Sequence, residues 1–205
     1  MTAIREKQLQ KRKQETLDVA LRLLMERGYS NFNMDDLADE AGISKPTLYQ
    51  YFNSKDELVS QAMVRVYEKI EELLATLEDQ SPLTRLEHFL RTALKTRAEK
   101  HYLAAPADME MMRAIIHQYP PMVEHVRVVK AKLEHIVREA QAQGEIDPSL
   151  PAWVVVNTLF SFQRVIFNPF SQNDPPRSDD ELAAAMESVV RLFKRGVQME
   201  IQIPA

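Results

Sequence analysis

The chain has 205 residues, of which 45% are hydrophobic and 27% are charged, and its net charge is −4. This composition is typical of a globular protein that can bury a sizeable core. The absence of cysteine excludes disulfides, thiolate-zinc sites and cysteine nucleophiles, and it fits the reducing cytoplasm in which we expect the protein to act. We expect no secretory signal, because the first seven residues contain no continuous apolar stretch. We expect no membrane span, because polar residues interrupt the longest apolar stretch, 153–170.

The chain is predicted to be all-α, because it has only 4 glycines and few hairpin turn signals. The first helix is predicted to end at Gly28, which can adopt the left-handed conformation. The buried face of this helix repeats at helical spacing at Leu17, Ala20, Leu21 and Leu24.

The first turns of this helix are basic. Arg5, Lys7, Lys11, Arg12 and Lys13 are opposed there only by Glu6. Such a run fits contact with a phosphate backbone, and it equally fits a solvated helix end.

Two short helices are predicted next. Asn33 can cap the second helix, which ends at Gly42. Ser44 can cap the third helix, which extends to Phe52. Pro46 is tolerated in the first turn of that helix, because an N–H is not needed there.

Six more helical segments bring the predicted total to about nine. Two of them open with the capping-box pattern Ser-x-x-Glu. The six segments are predicted to begin at Ser54, Ser81, Pro106, about residue 122, about residue 149 and Ser178.

The functional signal lies between Asn33 and Lys55. Two short helices joined by a turn give the geometry of a helix-turn-helix, whose second helix enters the major groove of DNA. The outer face of the third helix carries side chains that suit this groove, namely Lys45, Thr47, Tyr49, Gln50 and Tyr51. The spacing alone fits a helical hairpin that contacts another protein equally well.

The run from Asp36 to Leu58 resembles the signature of the TetR family of transcriptional regulators. Residues 20–29 extend the resemblance through the first helix. The elements that fall in register are Gly42-x-Ser44, Leu48-Tyr49-x-Tyr51-Phe52 and Ser54-Lys55. Pro46 departs from the family pattern, because many members have a glycine or another small residue there.

The resemblance implies a three-helix DNA-binding domain over residues 1–57, with its recognition motif at 33–52. Residues 58–205 would form a helical domain for effector binding and dimerisation. The implied function is sequence-specific regulation of transcription, by a repressor that a small-molecule effector releases from a pseudo-palindromic operator. Carried over position by position, the DNA contacts are Asn33, Ser44, Lys45, Thr47, Tyr49, Gln50, Tyr51 and Lys55.

Apolar residues of the second domain, with a few polar neighbours, are candidates for an effector pocket. They are Met109, Met112, His117, Trp153, Phe160, Arg164 and Phe167. The same residues also fit the core or a dimer seam, because apolar residues at helical spacing are usually core. The last two helices, near 152–167 and 181–197, are the candidate homodimer interface, since two helices from each subunit can form a four-helix seam.

No cofactor is expected. The five histidines do not form a metal-binding set, and no nucleophile elbow or paired-carboxylate setting is present in the sequence. The sequence therefore predicts neither a metal site nor an enzyme. The main alternative to a DNA-binding regulator is an adaptor that uses the helical hairpin for protein contacts, and its association with DNA would be weak and insensitive to salt.

Overall fold

The computed structural model describes residues 2–99, 114–115, 118–163, 165 and 178–198. Within these ranges the chain forms eight helices and no strand, which confirms the all-α prediction. The helices are α1 (Thr2–Asn31), α2 (Met34–Glu40), α3 (Lys45–Tyr51), α4 (Lys55–Thr76), α5 (Pro82–Glu99), α6 (Pro120–Ala142), α7 (Ala152–Phe162) and α8 (Asp179–Val197). The predicted total of about nine includes the segment that begins at Pro106, of which the structure describes only residues 114, 115, 118 and 119.

The chain forms two compact units. The first contains Met1–Glu68 and Lys100–Val126, and the second contains Lys69–Glu99 and Arg127–Ala205. Two of the three limits between the units fall within α4 and α6, and the third falls at the end of α5. The functional boundary between residues 57 and 58 remains a prediction.

The first unit has one hydrophobic core, to which α1, α2, α3 and the start of α4 all contribute. The predicted inward face of α1 is buried at Leu17, Ala20, Leu21 and Leu24. The other three helices add fully buried side chains at Leu37, Leu48, Phe52 and Leu58. The short helices α2 and α3 therefore owe their stability to burial, since helices of this length are marginal in isolation.

Two glycines in the first unit interrupt or end a helix through a positive φ angle. Gly28 has φ 72° and ψ 169°, which interrupts the regular helix at the predicted position, but a short helical segment follows this kink and carries α1 to Asn31. Gly42 has φ 64° in the turn between α2 and α3. A Cβ at Gly42 would meet no atom within 4 Å, so the constraint at this position is the backbone conformation rather than the available space.

The predicted helix caps are present at α2, α3 and α8. The side chain of Asn33 accepts a hydrogen bond from the Asp36 amide at 2.7 Å, and Ser178 forms a complete capping box with Glu181. The box predicted at Ser54 is only half formed. Ser54 accepts from the Glu57 amide at 3.1 Å, but the Glu57 carboxylate accepts from the Asn53 amide instead of the Ser54 amide.

In the second unit α5, α7 and α8 pack against one another. Arg91 of α5 donates two hydrogen bonds to Glu187 of α8, at 2.7 and 3.0 Å. This contact lowers the pKa of the Glu187 carboxyl, because the hydrogen bonds favour its charged form. The apolar helix predicted from about residue 149 begins later, at Ala152, because Pro151 takes the N-cap position with an extended backbone.

Candidate nucleic-acid interface

Helix α3 has one buried face and one exposed face. Leu48 is fully buried, and so is Phe52 directly after the helix. On the other face Tyr49 is 46% exposed and Gln50 is also exposed. Tyr51 is half-buried and lies edge-on to Phe52, with ring centroids 6.2 Å apart. The core thus fixes the rotation of α3 and turns its polar side chains outwards.

The start of α3 is held by side chains. The Ser44 hydroxyl accepts from the Thr47 amide at 3.3 Å and lies 2.8 Å from the Thr47 hydroxyl. Pro46 has no N–H to offer. Because one first-turn amide is occupied and another is missing, the backbone of this turn has little left to donate to a phosphate.

Lys45 forms an ion pair with Asp35 of α2, with Nζ 2.6 Å from Oδ1. The hydrogen bond and the negative charge of Asp35 raise the pKa of the Lys45 ammonium. Both side chains are more than half exposed, so the pair is weak and open to competition. An anion that contacts Lys45 must displace this carboxylate or share the lysine with it.

Lys55 joins the end of α1 to the start of α4. Its ammonium donates a hydrogen bond to the backbone carbonyl of Tyr29 at 2.7 Å and lies 4.1 Å from the centre of the Tyr29 ring. The Tyr29 hydroxyl donates to Asp56, and burial raises the pKa of Tyr29 with help from that hydrogen bond. Lys55 therefore has a structural role in the first unit, and its contact with phosphate remains a prediction.

Arginines of α1 pair with the carboxylates of α2. Arg27 contacts Asp36 and also donates to Glu40 at 3.0 Å, and Arg22 contacts the second oxygen of Glu40. These ion pairs offset the negative charge of α2, which is the helix directly before α3 in the chain. Arg22 and Arg27 were not among the predicted site residues, because their ion pairs with α2 depend on how α1 packs against that helix.

Five of the effector-pocket candidates lie outside the described residues, namely Met109, Met112, His117, Arg164 and Phe167. Of the other two, Trp153 is 58% exposed. Phe160 is half-buried and lies edge-on to Phe89, with ring centroids 5.9 Å apart.

Gln163 follows α7 and was not among the predicted site residues. Its side-chain nitrogen is buried and has no hydrogen-bond partner within the described part of the chain. A buried amide donor without a partner is unfavourable, which makes this atom a candidate for contact with a ligand. The signal in the sequence was only that Gln163 interrupts an apolar run.

Among the described residues no group of three or more histidine, aspartate or glutamate side chains could hold a metal ion. No described helix is long and apolar enough to cross a membrane.

The family model for bacterial regulatory proteins of the TetR family matches residues 17–62, which contain α2, α3 and the start of α4. The fatty acid metabolism regulator protein of Bacillus subtilis is 23% identical over 198 residues, which cover 93% of this chain and 98% of that protein. The chain is a TetR-family transcriptional regulator. This match confirms the membership of the TetR family that the resemblance of Asp36–Leu58 predicted.

Solved structures of TetR-family proteins share the fold. FadR from Bacillus subtilis, in complex with stearoyl-CoA, aligns with a TM-score of 0.70 and 21% identity, over 90% of this chain and 99% of that chain. A TetR-family regulator from Agrobacterium tumefaciens aligns with a TM-score of 0.69 and 18% identity, over 93% and 100%. These likenesses extend over the second unit, where the sequence offered a helical pattern and no motif.

Asp35→Asn should tighten the binding of this TetR-family protein to DNA. The substitution removes the carboxylate that holds Lys45 and leaves the lysine free for a phosphate. A weak exposed ion pair corresponds to a change in affinity of about two- to fivefold, and the change should be equal for all duplex sequences. Fluorescence anisotropy with labelled duplexes at moderate salt measures it.

Asp39→Asn is the matched control. Asp39 is exposed on the same helix, and its substitution removes the same charge. An equal gain in this control would show that net charge, and not the pair with Lys45, sets the affinity.

Proposed function

We propose that this TetR-family protein is a homodimeric repressor that acts in the cytoplasm. In this proposal it binds a pseudo-palindromic operator through α3 and leaves the operator when an effector with a long acyl chain binds the second unit. The observation that carries the proposal is the exposed polar face of α3, which is oriented by the buried side chains on its other face. An α-helix with short or flat polar side chains fits the major groove of DNA.

Gln50 is the strongest candidate for reading a base. It is exposed, and its amide forms no hydrogen bond with the described part of the chain. A free glutamine amide can pair with both the N6 and N7 positions of adenine. Thr47 and Tyr49 lie on the same short helix and can contact neighbouring bases, including the methyl group of thymine. Lys45 is the candidate for a phosphate contact at the start of α3.

Two copies are needed to read a pseudo-palindrome, whose half-sites lie about 34–36 Å apart. Helices α7 and α8 pack together, and each leaves a large apolar side chain in solvent. Trp153 of α7 is 58% exposed and Leu192 of α8 is 59% exposed. Side chains of this kind are typical of a subunit interface, and a second copy would cover them in a four-helix seam.

Three observations support an acyl-CoA effector. The Bacillus subtilis relative is named for fatty acid metabolism, and its structure contains stearoyl-CoA. In this chain, the buried Gln163 side-chain nitrogen can donate to a polar group of such a ligand. The aromatic pairs of Phe160 with Phe89 and of Phe162 with Phe193 provide an apolar setting for an acyl chain. Release from DNA requires the ligand to bind more tightly to the state that does not fit the operator.

Selection of sheared genomic DNA on the purified protein tests the DNA-binding proposal. The wild type should enrich a pseudo-palindromic site, and Gln50→Ala should change the preferred base at one position per half-site. Discrimination at that position should fall by about 1–3 kcal/mol. Lys45→Gln is the control, because loss of a phosphate contact should weaken all sequences alike.

A site that overlaps a promoter would support repression, whereas a site upstream of it would indicate an activator. No enrichment at low salt would contradict the proposal and favour the protein-binding adaptor.

Leu192→Asp should convert the dimer into a monomer, because the charge cannot be buried in an apolar seam. Sedimentation velocity measures the change, and binding to the full pseudo-palindrome should fall towards the affinity for a single half-site. Val123→Asp is the control, since Val123 is an exposed apolar residue of α6 in the first unit. A Leu192→Asp protein that stays dimeric would place the interface elsewhere.

Stearoyl-CoA should release the wild-type protein from its selected operator, whereas free CoA should not. Gln163→Met keeps the size of the side chain and removes the donor, so it should raise the stearoyl-CoA concentration needed for release by about three- to tenfold. The same variant should be at least as thermally stable as the wild type without ligand, because an unpaired buried donor is lost.

If Gln163→Met leaves the operator at the same stearoyl-CoA concentration as the wild type, Gln163 does not contact the ligand. Failure of stearoyl-CoA to release the wild type would overturn the effector class and leave the DNA-binding proposal intact.

A further inference from the structure

The first turns of α1 form a basic strip, defined here as Arg5, Lys7, Lys11 and Arg12. Every residue from 5 to 12 is exposed. The buried residues that α1 contributes to the hydrophobic core begin only at Leu17. The basic strip is therefore regular helix that adds nothing to the core of the first unit.

The basic strip starts next to helix α3. Arg12 lines a surface groove together with Gly42 and Ile43, which form the turn before α3. The next residue, Lys13, has its ammonium 5.0 Å from the centre of the Phe52 ring, at the other end of α3. Two consecutive residues of α1 thus lie close to both ends of the proposed recognition helix, and the basic strip continues from that point.

The cation at the start of the basic strip, Arg5, opposes the charge that the helix dipole favours. The N-terminus of a helix carries partial positive charge, so acidic residues stabilise it and basic residues do not. In the same unit the first turn of α2 contains Asp35 and Asp36, and the first turn of α4 contains Asp56 and Glu57. Helix α1 has no acidic residue in its first turn. Arg5 lies in this first turn and is therefore not stabilised by the helix dipole, whereas the other three cations lie beyond its reach.

The cations of the basic strip also have few partners within the protein. Among the described residues the side chains of Arg5, Lys7 and Arg12 form no ion pair. Lys11 lies 3.8 Å from Glu15, and both side chains are mostly exposed, so this pair is weak. Four cations on one exposed segment of a chain with net charge −4 point to an anionic partner outside the protein.

We propose that the basic strip binds the phosphates of DNA that flanks the bases read by α3. From Arg12 to Arg5 the helix rises by about 10 Å, which is the length of roughly three base pairs. Each protomer would thus extend its contact by about three base pairs beyond its half-site. The contact adds affinity without sequence preference, because phosphates carry no sequence information. The inference rests on the proposed operator binding.

Arg5→Gln/Lys7→Gln tests the basic strip without touching α3. Affinity for the selected operator and for an unrelated duplex should fall by the same factor. The slope of log affinity against log salt concentration should decrease by about two per protomer. Lys130→Gln/Arg138→Gln is the matched control, because it removes the same charge from α6 in the second unit. Circular dichroism checks that α1 remains helical.

Duplex length separates the basic strip from a general effect of charge. On an operator with long flanks the Arg5→Gln/Lys7→Gln protein should bind more weakly than the wild type. On a duplex trimmed to the two half-sites the two proteins should bind equally, since the flanking phosphates are gone.

Three results would overturn the inference. They are an unchanged salt slope, an equal loss in the Lys130→Gln/Arg138→Gln control, and a defect that persists on the trimmed duplex. If the wild-type protein still binds its operator, any of these three results would show only that the basic strip does not contact DNA. A wild-type protein that binds no duplex at low salt overturns the operator proposal as well.

Discussion

The burial of Leu48 and Phe52 is the constraint on which the rest of the first unit depends. Helix α3 has only seven residues, and this packing alone fixes which side of it faces solvent. If the helix rotated by the angle between neighbouring residues, Tyr49 would enter the core and Leu48 would meet water. The turn at Gly42, the Ser44 cap and the contact of Lys55 with Tyr29 all act on the position of this one short element.

Much of this arrangement could be predicted from the sequence, because its determinants are local. A positive φ at Gly28 or Gly42 and a cap at Asn33 or Ser44 depend on residues within one turn of each other. The inward face of α1 follows from helical periodicity. The half-formed capping box at Ser54 shows the limit of local reasoning, since Glu57 accepts from the Asn53 amide one residue earlier.

The side-chain partners of the interface could not be predicted in the same way. Lys45 meets Asp35, and Lys55 meets a carbonyl 26 residues earlier, only because the helices pack at particular positions. A charge pattern identifies a lysine as basic, but it does not show whether a neighbouring carboxylate already holds it. In the second unit the apolar pattern could not separate core from ligand site. The exposure of Trp153 and the buried side-chain nitrogen of Gln163 were both found only in the structure.

The shortness of α3 has a consequence for the life of the protein in the cell. A seven-residue helix does not persist in water without its neighbours, so the exposed face of α3, which we propose reads DNA, exists only while the first unit is folded. A nascent chain gains this surface only after α4 has begun to leave the ribosome, because Leu58 belongs to the same core. If α3 is the recognition helix, partly unfolded molecules do not compete for operators, and the DNA affinity of a sample reports its folded fraction.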